Sequence, residues 1–261
     1  MTASVQPSAR ADAQYLLRVG DACLVLSHRI SEWIGHSPIL EEDLALGNIA
    51  LDLLGQSRAL LTRAGQLGAA AGGAPLDEDQ LAYLREERHY LNPVLMELPR
   101  GDFAFTQARN LIAACWLLPM WTRLQASSDA EVAAIAAKAV KEVRYHQQHA
   151  AEWVVRLGDG TDESARRMTA ALAQLWPYVN ELFTSDAVDA AADASGLGPA
   201  WASLKPEWDA AMDEVLAEAR LARPKDTPHV YTGVRGVHSE HMGHLLSTMQ
   251  SLQRAYPGGV W

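Results

Sequence analysis

Glu142 and His146 stand four residues apart in KAVKEVRYHQQHAAEW (residues 138–153), so they share one face of any helix this stretch forms. A carboxylate and an imidazole on one face are donors with which helical bundles hold iron. A two-iron bundle takes a Glu with a His three residues later from each of two helices, and a lone carboxylate from each of two others. Here the residue three after Glu142 is Tyr145 and the residue three before His146 is Val143, so the pattern is approached and missed. Asp52 is the matching acid on an earlier helix, but Gly55 follows it at the position where a His is needed. Asp21, with Glu32 further on, offers a lone carboxylate on the first helix, whereas residues 103–125 contain no Asp or Glu, only Gln107 and Asn110. Neutral amides and a glycine cannot offset the charge of two hard cations. Asp21, Asp52, Glu142 and His146 are therefore expected to be the remains of a metal site, held as a hydrogen-bonded or ion-paired network in which Lys141 or Arg144 supplies the missing positive charge. No metal is expected in the chain itself.

Two other clusters carry groups with chemistry. Glu86 and His89 have the three-residue ligand spacing, but they sit among Glu87 and Arg88, where a solvated or interface face is the simpler reading. The run Arg88, His89, Tyr90 and Asn92 is dense in hydrogen-bonding groups and suits contact with a ligand or with another protein chain. HSEHMGH places His238, His241 and His244 on successive turns of a last helix, which allows a zinc site or polar contacts at an interface. Cys23 and Cys115 lie in apolar helical runs and read as buried thiols. Trp33, Trp116, Trp153 and Trp176 read as core anchors. There is no Gly-rich phosphate loop, nucleophile elbow or paired-Cys motif.

The elements that must position these groups are helices. Leu16, Gly20, Cys23, Ser27, Ile30 and Ile34 recur at steps of three and four, and the run stops near Gly35, His36 and Pro38. A second helix opens on Glu41, Glu42 and Asp43, where acids favour the dipole, and reaches about Gly68. Leu40, Leu44, Gly47, Leu51, Leu54, Arg58 and Leu61 mark one side of it, and Asn48, Asp52 and Gln56 form a polar stripe. An Ala/Gly loop (residues 69–75) leads to a third helix, opened by Asp77 and expected to carry REERHYLN (residues 85–92). Further helices are expected over residues 103–125, with Pro119 as a kink, and over residues 129–157. A sixth should be capped by Thr161 or Asp162 and carry Trp176 to Phe183; then come a small-residue stretch at 190–198, a seventh helix with Pro206 in its first turn, and a last one over 238–256. No strand-like alternation or solenoid repeat is present.

With 261 residues and 49% hydrophobic content, one domain spanning the whole chain is expected, its first eleven residues forming a flexible arm. A net charge of -10, from 32 acids against 22 bases, argues against nucleic acid or an anionic membrane as partner. The N-terminus lacks an apolar signal core, and the longest apolar run (residues 111–121) falls short of the ~20 residues of a membrane span, so a cytoplasmic protein is expected.

The segments RVGDACLVLSHRISEWIGHSP, EEDLALGNIALDLLGQSR, AAKAVKEVRYH, RLGDGTDES and VHSEHMGHLL together resemble the C subunits of bacterial ring 1,2-phenylacetyl-CoA epoxidases, the multicomponent oxygenases of aerobic phenylacetate breakdown. The resemblance runs from about Tyr15 to Trp261. It implies an all-α fold, a ferritin-like four-helix bundle with additional helices. It also implies a non-catalytic structural subunit, without cofactor, that scaffolds a homologous A subunit holding the di-iron centre. A small B subunit and a reductase with FAD and an iron-sulfur centre complete such a complex, which uses NADPH and dioxygen to epoxidise the ring of phenylacetyl-CoA. Carried onto this sequence, the substrate contact falls on His89, Tyr90, Leu91 and Asn92, with a second edge at Ala190, Ala191 and Ala192. The competing readings are a self-sufficient di-iron oxygenase or oxidase, and an iron-storage or peroxide-handling bundle that the missing acids of residues 103–125 disfavour.

Overall fold

A computed structural model of the chain describes residues 4–259; the first three residues of the expected arm and the last two of the tail lie outside them. Eleven α-helices occur among the described residues: α1 (Ala11–Ser31), α2 (Leu40–Ala70), α3 (Glu78–Tyr83), α4 (Val94–Glu97), α5 (Phe103–Leu124), α6 (Ala130–Gly158), α7 (Asp162–Leu175), α8 (Ala187–Ser195), α9 (Lys205–Glu218), α10 (Glu240–Met249) and α11 (Ser251–Ala255). Two isolated bridges, Val5 with Arg85 and Thr232 with Val237, are the only β-type pairings among them.

α1, α2, α5 and α6 form the bundle, the ferritin-like all-α arrangement expected. α1 packs along α2 and α5 along α6, and α2 joins the two pairs through α6. Gly20 lets α1 approach closely, because a Cβ there would lie 3.3 Å from the Leu60 Cβ. α7 and α9 cover α5, and α8 lies against α1. Side-chain caps fix where the helices start: Asp77 forms a capping box with Gln80, Asp102 accepts from Phe105 N–H, Asp129 from Glu131 and Val132, and Thr161 from Ser164. Trp116 and Trp176 are buried, as expected of core anchors; Trp153 is only half-buried, edge-on to Phe103 with Arg156 over its ring. Both cysteines are buried, and burial pushes the Cys115 thiol up to about 12.

The largest departure from the sequence reading lies at residues 85–92. α3 stops at Tyr83, and beyond it only Glu87–His89 makes one 3-10 turn. The backbone groups that would continue the helix are used elsewhere. Val5 N–H donates to Leu84 O at 3.1 Å, and Leu91 N–H donates to Asp21 Oδ2 at 2.8 Å. The arm expected to precede α1 thus touches this connector. Three smaller differences follow similar logic. Trp176–Phe183 is a 3-10 segment with Pro177 in its first turn. The small-residue stretch is helical, opened by the Asp186 cap and closed by Gly196 at φ 72°. The last helix is split at Gln250, which is turned inward to donate to Arg85 O at 2.9 Å and Tyr90 Oη at 2.7 Å.

A tight crossing seats the C-terminal segment on the connector. Gly236 has φ 77°, and a Cβ there would collide with the Arg88 carbonyl oxygen. Gly236→Ala is expected to destabilise the fold by well over the ~1–2 kcal/mol of a left-handed alanine, because the backbone contact adds to it. Gly35→Ala, at φ 77° with open space around it, should lose the backbone part alone. Urea unfolding of the two variants measures the difference; equal losses would refute the contact.

Candidate functional site

The polar stripe of α2 meets α6 along an antiparallel seam of three pairs. His149 Nε2 donates to Glu42 Oε2 at 2.9 Å, His146 Nε2 to Asp52 Oδ2 at 3.0 Å, and Gln56 Nε2 to Glu142 Oε2 at 2.9 Å. Lys138 approaches Glu142 at 3.4 Å, so the cation beside Glu142 is Lys138 rather than the expected Lys141 or Arg144. Burial lowers the pKa of His146 despite its carboxylate partner. The ring is therefore neutral near pH 7 and spends its Nε2 proton on an acceptor-only carboxylate. Such a pair fixes side-chain orientation in the seam.

Asp21 belongs to a different neighbourhood. Arg85 clamps its carboxylate with both terminal nitrogens, Nη1 to Oδ2 at 2.9 Å and Nη2 to Oδ1, and both side chains are fully buried. Leu91 N–H adds a third donor to the carboxylate. Arg85 Nε donates to Leu81 O and Nη1 also to His89 O, and the Tyr90 ring lies 4.2 Å beneath the guanidinium. Burial works against the charge of Arg85, but Asp21 outweighs it and raises the pKa further. A two-point clamp with every guanidinium nitrogen engaged supplies the positive charge that a metal would bring to a carboxylate. Arg85 is the residue the sequence reading missed, because a connector rather than a bundle helix delivers it.

Between the seam and α5 the bundle centre is apolar. A cavity of about 10 Å³ lies among Leu26, Ile30, Leu53, Asn110, Leu117 and His146. This is about one water in size and offers an imidazole and an amide as its only polar lining. Gln107 and Asn110, buried on α5, find no hydrogen-bond partner for their amide groups among the described residues. Among those residues, too, no group of three or more His, Cys, Asp or Glu comes together as a metal set. The four candidates are thus divided between two locations, and the residues present do not fit a di-iron centre. The same holds for the two alternatives raised by spacing. Glu86 faces Arg88 at 3.3 Å, and His238 is consumed by partners inside the fold.

From Tyr90 to Asn92 the connector is extended and its side chains alternate, and His89, at the end of the 3-10 turn, shares the side of Leu91. Tyr90 and Asn92 point inward and are fully buried: Tyr90 Oη receives Gln250, and Asn92 Nδ2 donates to Glu97 Oε2 at 3.0 Å. His89 and Leu91 point outward and line a cleft of about 480 Å³, together with Arg18, Arg88, Arg235 and Val188. Desolvation and the neighbouring Arg88 lower the pKa of His89. Arg18 is committed to a two-point pair with Asp186 at 2.9 and 2.7 Å, which holds that carboxyl at about 2. Arg88 and Arg235 are exposed at the rim and only loosely paired, with Glu86 at 3.3 Å and Asp186 at 3.6 Å. Of the expected second edge, Ala190 and Ala191 are exposed on α8 and Ala192 is buried; the cleft takes its α8 wall from Val188 instead. The volume suits a small-molecule site, and the two exposed rim arginines suit an anionic group.

Behind the connector lies a buried acid-base cluster. His238 Nδ1 donates to Glu97 Oε2 at 2.7 Å and Nε2 to Tyr90 O at 2.9 Å, with the imidazole and the Glu97 side chain fully buried. Glu181 accepts Val94 N–H at 2.8 Å and Val234 N–H at 3.0 Å. Burial raises its carboxyl to about 7 against those two donors. Glu97 and Glu181 carry no sequence signal beyond being acids in apolar surroundings; His238 does, through HSEHMGH.

A family model described as phenylacetic acid catabolic protein matches residues 2–261. The C subunit of 1,2-phenylacetyl-CoA epoxidase from Escherichia coli (strain K12) is 44% identical over 247 residues, covering 95% of this chain and 98% of that protein. No helix among the described residues is long and apolar enough to cross a membrane.

Proposed function

The chain belongs to the phenylacetic acid catabolic protein family, and on that premise we propose that it is the structural, non-catalytic subunit of a 1,2-phenylacetyl-CoA epoxidase in the cytoplasm. It scaffolds a homologous di-iron A subunit, within a complex completed by a B subunit and a flavin and iron-sulfur reductase, and contributes to the acyl-CoA site. The observation that carries this reading is the donor set. Asp21, the α1 acid of the bundle, is clamped by Arg85; Gly55 stands where α2 needs its histidine; and α5 presents amides instead of an acid. A fold that retains the bundle while its metal positions are tied up in hydrogen bonds is suited to shaping a partner. For the substrate, His89 and Leu91 with the Arg88 and Arg235 rim give an anion-tolerant wall for the phosphate-bearing end of a coenzyme A thioester.

Iron per polypeptide, measured on the chain purified alone from iron-replete cells, tests the reading directly. Near-zero iron in a helical, folded protein is expected, and turnover should appear only after the A subunit is added. About two irons per chain, the complement of a two-metal bundle, would overturn it. A second prediction concerns the seam. His146→Ala should lower stability by about 1–3 kcal/mol, from the lost hydrogen bond and the space left by a buried imidazole, since Asp52 is partly exposed and can turn to water. Asp52→Asn should reduce assembly with the A subunit and turnover in parallel. Loss of turnover with assembly intact would assign the pair to chemistry instead of packing.

A further inference from the structure

The segment before α1 has a seat of its own on the fold. Pro7 biases Gln6 toward extended backbone and removes one backbone donor, which suits residues 5–10 to run along the surface without a ladder. Two fixed points hold this arm. Val5 pairs with Arg85 in a parallel bridge, its N–H donating to Leu84 O at 3.1 Å. Ser8 rests on α2 at Gly68, where a Cβ would lie 3.0 Å from the Ser8 Cβ, and its Oγ accepts Arg10 N–H at 3.3 Å. Between these points Gln6 and Pro7 form a partition. On one side they line the cleft of about 480 Å³ beside His89, and on the other a pocket of about 200 Å³ whose further walls include Leu17, Ala64, Leu76 and Leu81. A partition with open space on both faces can shift to fit what enters the cleft.

We propose that this arm is a wall of the acyl-CoA cleft, and that Gln6, with Gln14 in the first turn of α1, holds the amide-bearing chain of a coenzyme A thioester. This rests on the acyl-CoA reading of the cleft and adds the part of the ligand that the arginines do not answer. Arg88 and Arg235 at the rim suit the phosphates. The chain that joins those phosphates to the thioester is neutral and carries amides, and a primary amide side chain, donor and acceptor at once, is the matching group. Gln6 and Gln14 both line the cleft, and neither spends its side-chain amide on a partner among the described residues. Arg18, four residues after Gln14 on the same face, has both terminal nitrogens tied to Asp186, so it steadies this wall without competing for the phosphates. The seat explains why the arm belongs to the cleft. Val5 is bound to the backbone at Arg85, the residue that fastens the connector to Asp21, so arm and connector, two walls of one cleft, are held from the same point.

Titration of phenylacetyl-CoA into the full chain, alone and assembled with its A subunit, tests the proposal. Gln6→Ala, at an exposed position, should leave the helical circular-dichroism spectrum unchanged and weaken binding about tenfold, the equivalent of one good hydrogen bond. Val5→Pro, which deletes the N–H that pins the arm, should weaken binding by a similar factor. Phenylacetyl-pantetheine, which keeps the amides and lacks every phosphate, should lose as much from Gln6→Ala as the full thioester does, and nothing from Arg88→Ala with Arg235→Ala. Trypsin reads the arm itself: cleavage after the exposed Arg10 should slow when phenylacetyl-CoA is added to the wild type, and far less in Val5→Pro. An arm that only straps the fold would leave affinity unchanged in Gln6→Ala and Val5→Pro while the double arginine variant still binds weakly. That result would overturn this inference and leave the acyl-CoA reading standing. A thioester that binds every variant alike, or does not bind the wild type, would remove both. A loss from Gln6→Ala confined to the full thioester would place the arm at the phosphate end and overturn the amide assignment.

Discussion

Arg85→Met should cost the fold about 3–5 kcal/mol, since it strips the counter-charge from a carboxylate with no access to water. Met fills most of the volume of Arg, so little of the loss is a cavity and the electrostatic part dominates. Asp21 would keep only Leu91 N–H, and one neutral donor does not stabilise a buried anion. The effect should also reach the cleft. His89 O and Leu81 O lose donors, and the connector that sets His89 and Leu91 outward loses its anchor. Adding Asp21→Asn to Arg85→Met removes the stranded charge and keeps an acceptor for Leu91 N–H, so more than half of the lost stability should return. Urea unfolding of the wild type, single and double variants gives the coupling directly. A single variant within 1 kcal/mol of the wild type, or a double variant worse than the single, would show that the pair is not what holds the connector to α1.

The same pair explains what could and could not be read from the sequence. Periodicity and end signals identified helices because those signals are local: the Gly35, His36 and Pro38 stop after α1, the acids at the start of α2, and outside the bundle the Asp77 and Thr161 caps. The grounds for expecting no metal were local too, because a glycine at position 55 and an acid-free stretch over residues 103–125 are statements about single positions. What replaced the metal charge was not legible. Lys141 and Arg144 were the natural expectation, being on the helix of Glu142, yet Lys138 takes Glu142, and Arg85 reaches Asp21 from sixty-four residues away in a segment that reads as helix. REERHYLN opens with four good helix formers, Arg85 to Arg88; its backbone is diverted by Val5 and Asp21, which are tertiary partners with no local signature. Alternation in the extended segment that follows the 3-10 turn then decides that Tyr90 and Asn92 serve the core while Leu91 faces the cleft beside His89. The exposed side of α2 was visible as a row of leucines, but periodicity alone cannot say which of two apolar rows faces water.

Glu97→Gln should be costly in a pH-dependent way, and the dependence separates an ion pair from packing. Both ring nitrogens of His238 face acceptors, the Glu97 carboxylate and Tyr90 O, so both must carry protons and the ring is an imidazolium. Burial opposes that charge, and the bond to Glu97 overcomes it, leaving the pKa of His238 raised. A raised folded-state pKa gives stability that is complete below the unfolded histidine value, near 6.5, and is lost as pH rises through the folded one. Glu181 acts in the same direction over a lower window. Its folded value of about 7 against 4.5 makes its contribution complete below 4.5 and gone above about 7, and the charge of Glu97 is one of the causes that raise it. The contribution of this cluster should therefore fall as pH rises from about 4.5 through the folded pKa of His238, against the opposite trend of carboxylates held low, such as Asp186. Gln at 97 can keep its oxygen for His238 Nδ1 and Asn92 Nδ2, which share Oε2, while deleting the charge; its NH2 then faces Ser239 N–H, a loss that does not depend on pH. The charge-dependent part of the cost should approach about 3–5 kcal/mol below pH 6 and shrink markedly above the folded pKa of His238, where the wild type has already lost the pair. Urea unfolding of both proteins at a series of pH values is the measurement. Parallel stability curves for wild type and variant would assign Glu97 to packing alone. Converging curves would identify the Glu97–His238 pair as the charge-dependent fastening of the C-terminal segment to the connector that walls the cleft.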